Sequence, residues 1–221
     1  MRKYLMFLLV VLLYLAVPTA RRTEQFDIVV YGGGFGGCAA AHSAAVLAPG
    51  NKVLLVIPEP VREPGGLGTV GGQNFADIRL WKNQLVTCGS FERWYREAGQ
   101  FYSTRAMSGI IKKELRQFPN LSILYSHDIN RVRMKKAGIE ALHLCRIGRG
   151  ASGMVEWQGE TKTVSGRVFI DASDDGRLAR LAGASLSVGR RDWPPHYLTG
   201  AEKTGDVAYQ QAATLMFKVT G

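Results

Sequence analysis

Residues 26–37 read FDIVVYGGGFGG, a short apolar run that ends in a glycine turn. Gly32, Gly34 and Gly37 stand in a G-x-G-x-x-G spacing. In such a turn the first glycine allows a tight reversal and the second leaves room for phosphate oxygens. The third lets the following helix pack closely on the strand. That helix aims its N-terminal N–H groups at the same point. With 26 glycines in the chain the spacing alone means little, and its context carries the reading. Ile28, Val29 and Val30 precede the turn as a buried-type strand. Residues 38–47 (CAAAHSAAVL) follow as a small-residue helix, and residues 53–57 (VLLVI) as a second apolar strand. A merely flexible glycine turn would not need a buried-type strand on each side of a helix. The segment is therefore a βαβ unit of the dinucleotide-binding kind.

The rest of the chain extends this pattern. Pro58-Glu59-Pro60 leads to a second glycine-rich loop, GGLGTVGG at 65–72, too poor in side chains for a strand or helix. Two helices are predicted next: Phe91 to Ala98 with Ser90 as N-cap, and Thr104 to Phe118. In the second, Met107, Ile110, Ile111, Leu115 and Phe118 recur at helical spacing, and Pro119-Asn120 ends it. Leu121 to Tyr125 reads as a third core strand. From Asn130 to Val168 the alternation becomes that of a β-meander, with turns at 136–138 and at Gly159. Residues 168–170 (VFI) re-enter the core and stop at a polar loop, DASDDG (171–176), before a helix that starts at Arg177. Two distant core strands thus end in loops of small residues. In open α/β sheets ligands lie beyond such carboxyl ends, so one extended ligand is expected to touch both.

Composition excludes several classes. A chain of 221 residues with a 46% hydrophobic fraction can bury a core in one or two domains. Its net charge of +10 is scattered along alternating strand residues such as Arg131, Arg133 and Arg146. That pattern describes a solvated face, not a nucleic-acid patch. The cysteines, Cys38, Cys88 and Cys145, form neither a disulfide framework nor a C-x-x-C pair, and the histidines show no metal spacing. Asp171, Asp174 and Asp175 read as a loop and helix cap, not a cation site. At the N-terminus, Arg2 and Lys3 precede the uncharged run Tyr4 to Val17 and then Pro18-Thr19-Ala20. This is the layout of a secretory signal or a short membrane anchor. Export or anchoring on the periplasmic side is expected, with a cytoplasmic chain whose fold starts at Thr23 as the alternative.

With these motifs in order, the chain resembles the FAD-dependent oxidoreductases of the glutathione-reductase-like flavoprotein superfamily, and within them a bacterial group. FDIVVYGGGFGGCAAA is similar to that family's first FAD motif, GGLGTVGG to its flavin-side loop, and VFIDASDDGRLARLAGA to its second FAD motif. The resemblance implies a Rossmann-like, three-layer ββα FAD-binding domain with a β-meander crossover over residues 23–185. A helical insertion would occupy about 75–118, and residues 186–221 would begin a substrate domain that the chain leaves incomplete. It implies non-covalent FAD and a small organic substrate. Gly32, Gly34 and Gly37 would cradle the pyrophosphate, with the Phe35 and Gly36 amides nearby. Gly65, Gly66 and Thr69 would lie along the ribityl chain or flavin. Asp171 would contact the ribityl–pyrophosphate region, Ala172 and Ser173 would supply close backbone, and Ile129 would offer backbone groups to adenine.

One departure concerns the acid that such proteins place at the end of the second strand to bind the adenosine ribose. Here that position is Ile57, and Glu59 follows two residues later. Glu59 either reaches the ribose or is a surface turn residue. Flavin carries the redox chemistry in such proteins, so the sequence need not display an acid–base pair. Gln73, Asn74 and Asp77 flank the second glycine loop as caps, and the segment Trp193 to His196 is a further candidate for a substrate cleft. Two other functions stay open at this point: a non-catalytic nucleotide-binding or interaction module, and an NAD(P)-binding reductase.

Overall fold

The computed structural model describes residues 23–78 and 80–186. The expected export segment, the stretch around His196 and the expected start of a substrate domain lie outside the described residues.

Four parallel strands form the central sheet: β2 (Ile28–Tyr31), β3 (Val53–Ile57), β6 (Leu121–Tyr125) and β10 (Val168–Asp171), in the order β10-β2-β3-β6. Successive side chains of a strand point to opposite faces. Val30, Leu55 and Ile57 therefore face one layer, and Val29, Tyr31, Leu54 and Val56 the other. Both faces are covered, which is why these strands read as unbroken apolar runs.

The first layer is helical: α1 (Phe35–Leu47), α2 (Gly89–Ala98) and α3 (Thr104–Leu115). Trp94, Met107, Ile111 and Leu115 are buried there against Val30 and Leu55. The opposite layer is a meander of β7 (His127–Lys135), β8 (Gly138–Arg149) and β9 (Val155–Ser165), with β1 (Glu24–Gln25) added parallel to β9. Ile129, Leu142, Leu144 and Val164 close that second core. Short strands β4 (Leu80–Trp81) and β5 (Gln84–Leu85) make a separate hairpin, and α4 (Arg177–Leu181) follows β10. The three-layer architecture is the expected one.

Details differ where tertiary contacts overrode local signals. Gly159 does not end a strand. β9 runs through it with a register shift against β8, so the left-handed glycine, φ 76°, forms an irregularity within one continuous strand. Ser90 is not an N-cap: α2 begins at Gly89, Cys88 precedes it, and the buried Ser90 faces a polar cluster. In that cluster His42 Nδ1 lies 3.3 Å from the Ser90 hydroxyl, and His42 Nε2 lies 3.1 Å from Glu114 Oε1. Arg93 and the Trp94 indole also donate to Glu114. His42 is thus a packing residue joining three helices, and burial lowers its basicity. α3 stops at Leu115, short of Phe118, and its N-cap is Ser103, whose Oγ accepts from the Ala106 N–H. Asn120 then caps another element. Its amide donates to the carbonyls of Ala45, Ala48 and Asn51 at 3.1–3.3 Å and so satisfies the carboxyl end of α1. Among the described residues, no helix is long and apolar enough to cross a membrane.

Candidate functional site

Strand β2 has β3 on one side and β10 on the other, so the chain leaves its carboxyl end in one direction and returns from the opposite one. That is the point of an open α/β sheet where a crevice forms. Tyr31 pairs with Val56 and with Asp171, which sets the three strand exits side by side. The loops leaving them enclose a cavity of about 320 Å³. Its lining includes Gly32, Gly33 and Gly34 from the first bend, Glu59 after β3, and Ala172 and Ser173 from the second bend. The two bends, far apart in sequence, therefore share one crevice. A larger cavity of about 800 Å³, lined by Thr23, Lys52 and Ser122 among others, lies at the amino ends of the strands, away from the glycine turn.

The glycines are explained by contact. Gly32 has φ 129°, and a Cβ there would stand 2.3 Å from the Ala172 carbonyl oxygen. Only a residue without a side chain lets the second bend lie against the first. A Cβ on Gly37 would stand 2.0 Å from the Gly32 oxygen, so the third glycine brings α1 onto the turn. α1 begins at Phe35, three residues earlier than the small-residue run indicated. Its N-cap, Gly34, offers no side chain to the first-turn N–H groups, and no acidic residue stands in that turn. The Gly34 cap lines the crevice, and a helix N-terminus without an acidic residue favours an anion. Cys38, whose thiol donates to the Gly33 carbonyl at 3.4 Å, is buried, and burial pushes its pKa up to about 12.

The second bend is tied by its own side chains. The Asp171 carboxylate accepts from the Ser173 N–H at 3.0 Å, the Ser173 hydroxyl at 2.6 Å and the Ala179 N–H at 2.8 Å. Asp171 is not among the residues that line the cavity. In this structure the Asp171 carboxylate fixes the shape of the bend that presents Ala172 and Ser173. Gly65, Gly66 and Thr69 sit beside the first bend. The Gly65 N–H donates to the Gly33 carbonyl at 2.7 Å, while the Thr69 hydroxyl donates to Pro64 within its own loop at 2.9 Å. Phe35 packs its ring on Phe91 and Trp94, and Gly36 is exposed. Ile129 is buried on β7, and its carbonyl accepts from Arg177 at 3.1 Å. Among the described residues no cluster could hold a metal ion.

Among the cavity residues that the sequence reading did not place at a site, three form a cluster. Tyr31 donates its hydroxyl to Asp128 Oδ1 at 2.5 Å, and Arg177 Nε donates to the same oxygen at 2.8 Å. All three line the crevice. Tyr31 and Asp128 carry no local signal, because their partners are far away in sequence. Arg177 does directly follow the DASDDG loop, and its place there marks it as a neighbour of the second bend.

Glu59 belongs to the crevice, not to a surface turn. A Cβ on Gly33 would stand 2.3 Å from its Oε2, and that oxygen is buried without a hydrogen-bond partner among the described residues. Burial, joined by the Asp174 charge, raises its pKa above the ordinary 4.5. The folded state therefore binds a proton more readily than the unfolded chain. The resulting stability is complete below pH 4.5 and is lost as pH rises through the folded value. In ligand-free protein, Glu59→Gln is expected to raise the melting temperature at about pH 8 and to change it little at about pH 4. A melt series in which the two proteins differ equally at both pH values would contradict this.

A family model described as FAD dependent oxidoreductase matches residues 27–220. No curated protein matches in sequence. Among solved structures, p-nitrophenol 4-monooxygenase PnpA from Pseudomonas putida DLL-E4 is 13% identical. The match covers 75% of this chain and 46% of that one, with a TM-score of 0.44. The myxobacterial chondrochloren halogenase CndH is 21% identical over 68% and 37% of the two chains, with a TM-score of 0.38. Quinol fumarate reductase FrdA of E. coli is 14% identical over 68% and 33%, with a TM-score of 0.45. The chain spans less than half the length of each of these structures.

Proposed function

The chain belongs to the FAD dependent oxidoreductase family, and on that footing we propose that it is a flavoenzyme that holds FAD without a covalent bond and acts on a small organic substrate. The observation that carries this reading is the shared crevice: the Gly32 turn and the Ala172–Ser173 bend approach so closely that no side chain fits between them.

Other features of the crevice suit a dinucleotide. The α1 terminus supplies N–H groups with no side-chain cap, as a diphosphate requires. The buried, unpartnered Glu59 Oε2 suits a sugar hydroxyl as donor. When bound, FAD supplies the electron-transfer chemistry. Gly32, Gly33 and Gly34 would hold the diphosphate by backbone, and Glu59 would orient the adenosine ribose. Gly65, bonded to Gly33, would carry the second glycine loop along the ribityl side, which Gly66 and Thr69 would line. Ala172 and Ser173 would approach from the other side. In this reading residues 23–185 are the FAD-binding unit, and Arg2, Lys3 and the apolar run at 4–17 direct the protein to export or a membrane.

The test is the visible spectrum of the purified full-length chain, before and after addition of FAD. Flavin bands are expected, and denaturation should release the whole chromophore as FAD. A colourless protein that takes up no FAD on titration would refute the reading. Flavin that stays on the denatured polypeptide would refute the non-covalent part.

A further inference from the structure

The cavity at the carboxyl end of β2 is lined by four carboxylates, those of Glu59, Asp128, Asp174 and Asp175. A diphosphate entering such a place meets like charge on several sides. Arg177 is the one cation among the described residues that line it. Its guanidinium is held at two nitrogens. Nε donates to Asp128 Oδ1 at 2.8 Å and Nη2 to the Ile129 carbonyl at 3.1 Å. Its backbone N–H donates to the Ser173 hydroxyl at 3.0 Å, so the second bend fixes where the side chain starts. Nη1 has no partner among the described residues, and the side chain is about one quarter exposed, at 28%. Asp128 is itself held by the Tyr31 hydroxyl and the Ile129 N–H. A rigid planar fork on a residue that lines the cavity, with two of its three nitrogens anchored, loses little freedom when it binds.

Resting on the reading of this crevice as the FAD site, we propose that Arg177 is a binding residue for the diphosphate. It offers the Nη1 edge to phosphate oxygens, while Asp128 and the Ile129 carbonyl hold the guanidinium in place. Arg177 thereby supplies the phosphate selectivity that the surrounding carboxylates would otherwise oppose.

The experiment titrates the full-length chain with FAD, ADP and adenosine and compares it with Arg177→Gln, after melting curves confirm folding. The unaltered protein should prefer ADP to adenosine. Arg177→Gln should lose about ten- to a hundredfold in affinity for FAD and ADP, the value of one charged hydrogen bond, and stay within about twofold for adenosine. A merely structural role would weaken all three ligands together. That result, or unchanged ADP binding, would overturn the proposal. Should Arg177→Gln fail to fold, Arg177→Lys decides. Lysine is a point charge without the planar fork that spans Asp128 and the Ile129 carbonyl, so a fall of about fivefold or more in the ADP-to-adenosine preference supports the proposal and a retained preference overturns it. If the unaltered protein binds neither FAD nor ADP, the reading of the crevice and this inference fall together. If it binds both and Arg177→Gln binds them equally well, only the inference falls.

Discussion

Gly32→Ala is expected to yield a protein that melts far lower and holds no FAD. The residue has φ 129°, a conformation that costs a side-chain-bearing residue about 1–3 kcal/mol. The added Cβ would also stand 2.3 Å from the Ala172 oxygen and 2.7 Å from the Ser173 nitrogen, both backbone atoms of the second bend. Neither can swing aside as a flexible side chain would, so β10 must move away from β2. A total of about 4 kcal/mol is of the size reserved for changes with a defined structural cause. Separation of the bends opens the crevice in which Gly32, Gly33, Ala172 and Ser173 meet. Gly36→Ala is the matched control. Gly36 is exposed in the first turn of α1, with nothing within 4 Å of an added methyl. That change should leave FAD binding intact and stabilise the helix by up to about 1 kcal/mol. Thermal melts and FAD titration of both variants check the pair, and normal FAD affinity in Gly32→Ala would contradict the account of the shared crevice.

Trp94→Ala is expected to cost about 3–5 kcal/mol, as large aromatic truncations in a core do. Trp94 is 1% exposed at the centre of the helical layer. Its ring centroid lies 6.0 Å from that of Phe35, and its indole N–H donates to Glu114. The truncation leaves a cavity and removes a donor from a carboxylate that also binds Arg93 and His42. Damage should spread to the second glycine loop, since a Cβ on Gly68 would lie 2.1 Å from the Phe35 ring that Trp94 supports. Denaturant unfolding measures the loss, and limited proteolysis near Gly68 measures the spread. A loss under about 1 kcal/mol would contradict the assigned packing.

The sheet was legible because its strands are buried on both faces. Residues 28–31 and 53–57 read as continuous apolar runs, and their shortness and flanking turn residues point to strands of a covered parallel sheet. α3 was legible from Met107, Ile111 and Leu115, all fully buried. The glycine turn announced itself because backbone contact, not side-chain chemistry, defines it. What stayed hidden depends on partners distant in sequence. The Tyr31–Asp128–Arg177 cluster joins β2, β7 and the start of α4, and no periodicity records such a meeting. Ser90 looked like a cap because serine favours helix starts, but it is buried beside His42 from another helix. Gly159 looked like a turn because glycine punctuates chains, whereas pairing with β8 carries the strand through it. The bonds by which the Asp171 carboxylate ties Ser173 and Ala179 into the second bend were likewise not written in any periodicity.

β10 enters the sheet beside β2, pairing residues 168–171 with residues 28–31. During synthesis the ribosome delivers β2 among the first strands and β10 as the last of the ten described here. Until Val168 emerges, one margin of β2 is bare, a row of apolar side chains and unsatisfied amides of the sort that recruits neighbouring chains. One wall of the crevice exists early, and the other arrives only after the whole meander has been translated. The crevice is thus completed late in the life of the nascent polypeptide, and until then that margin is open to misassociation.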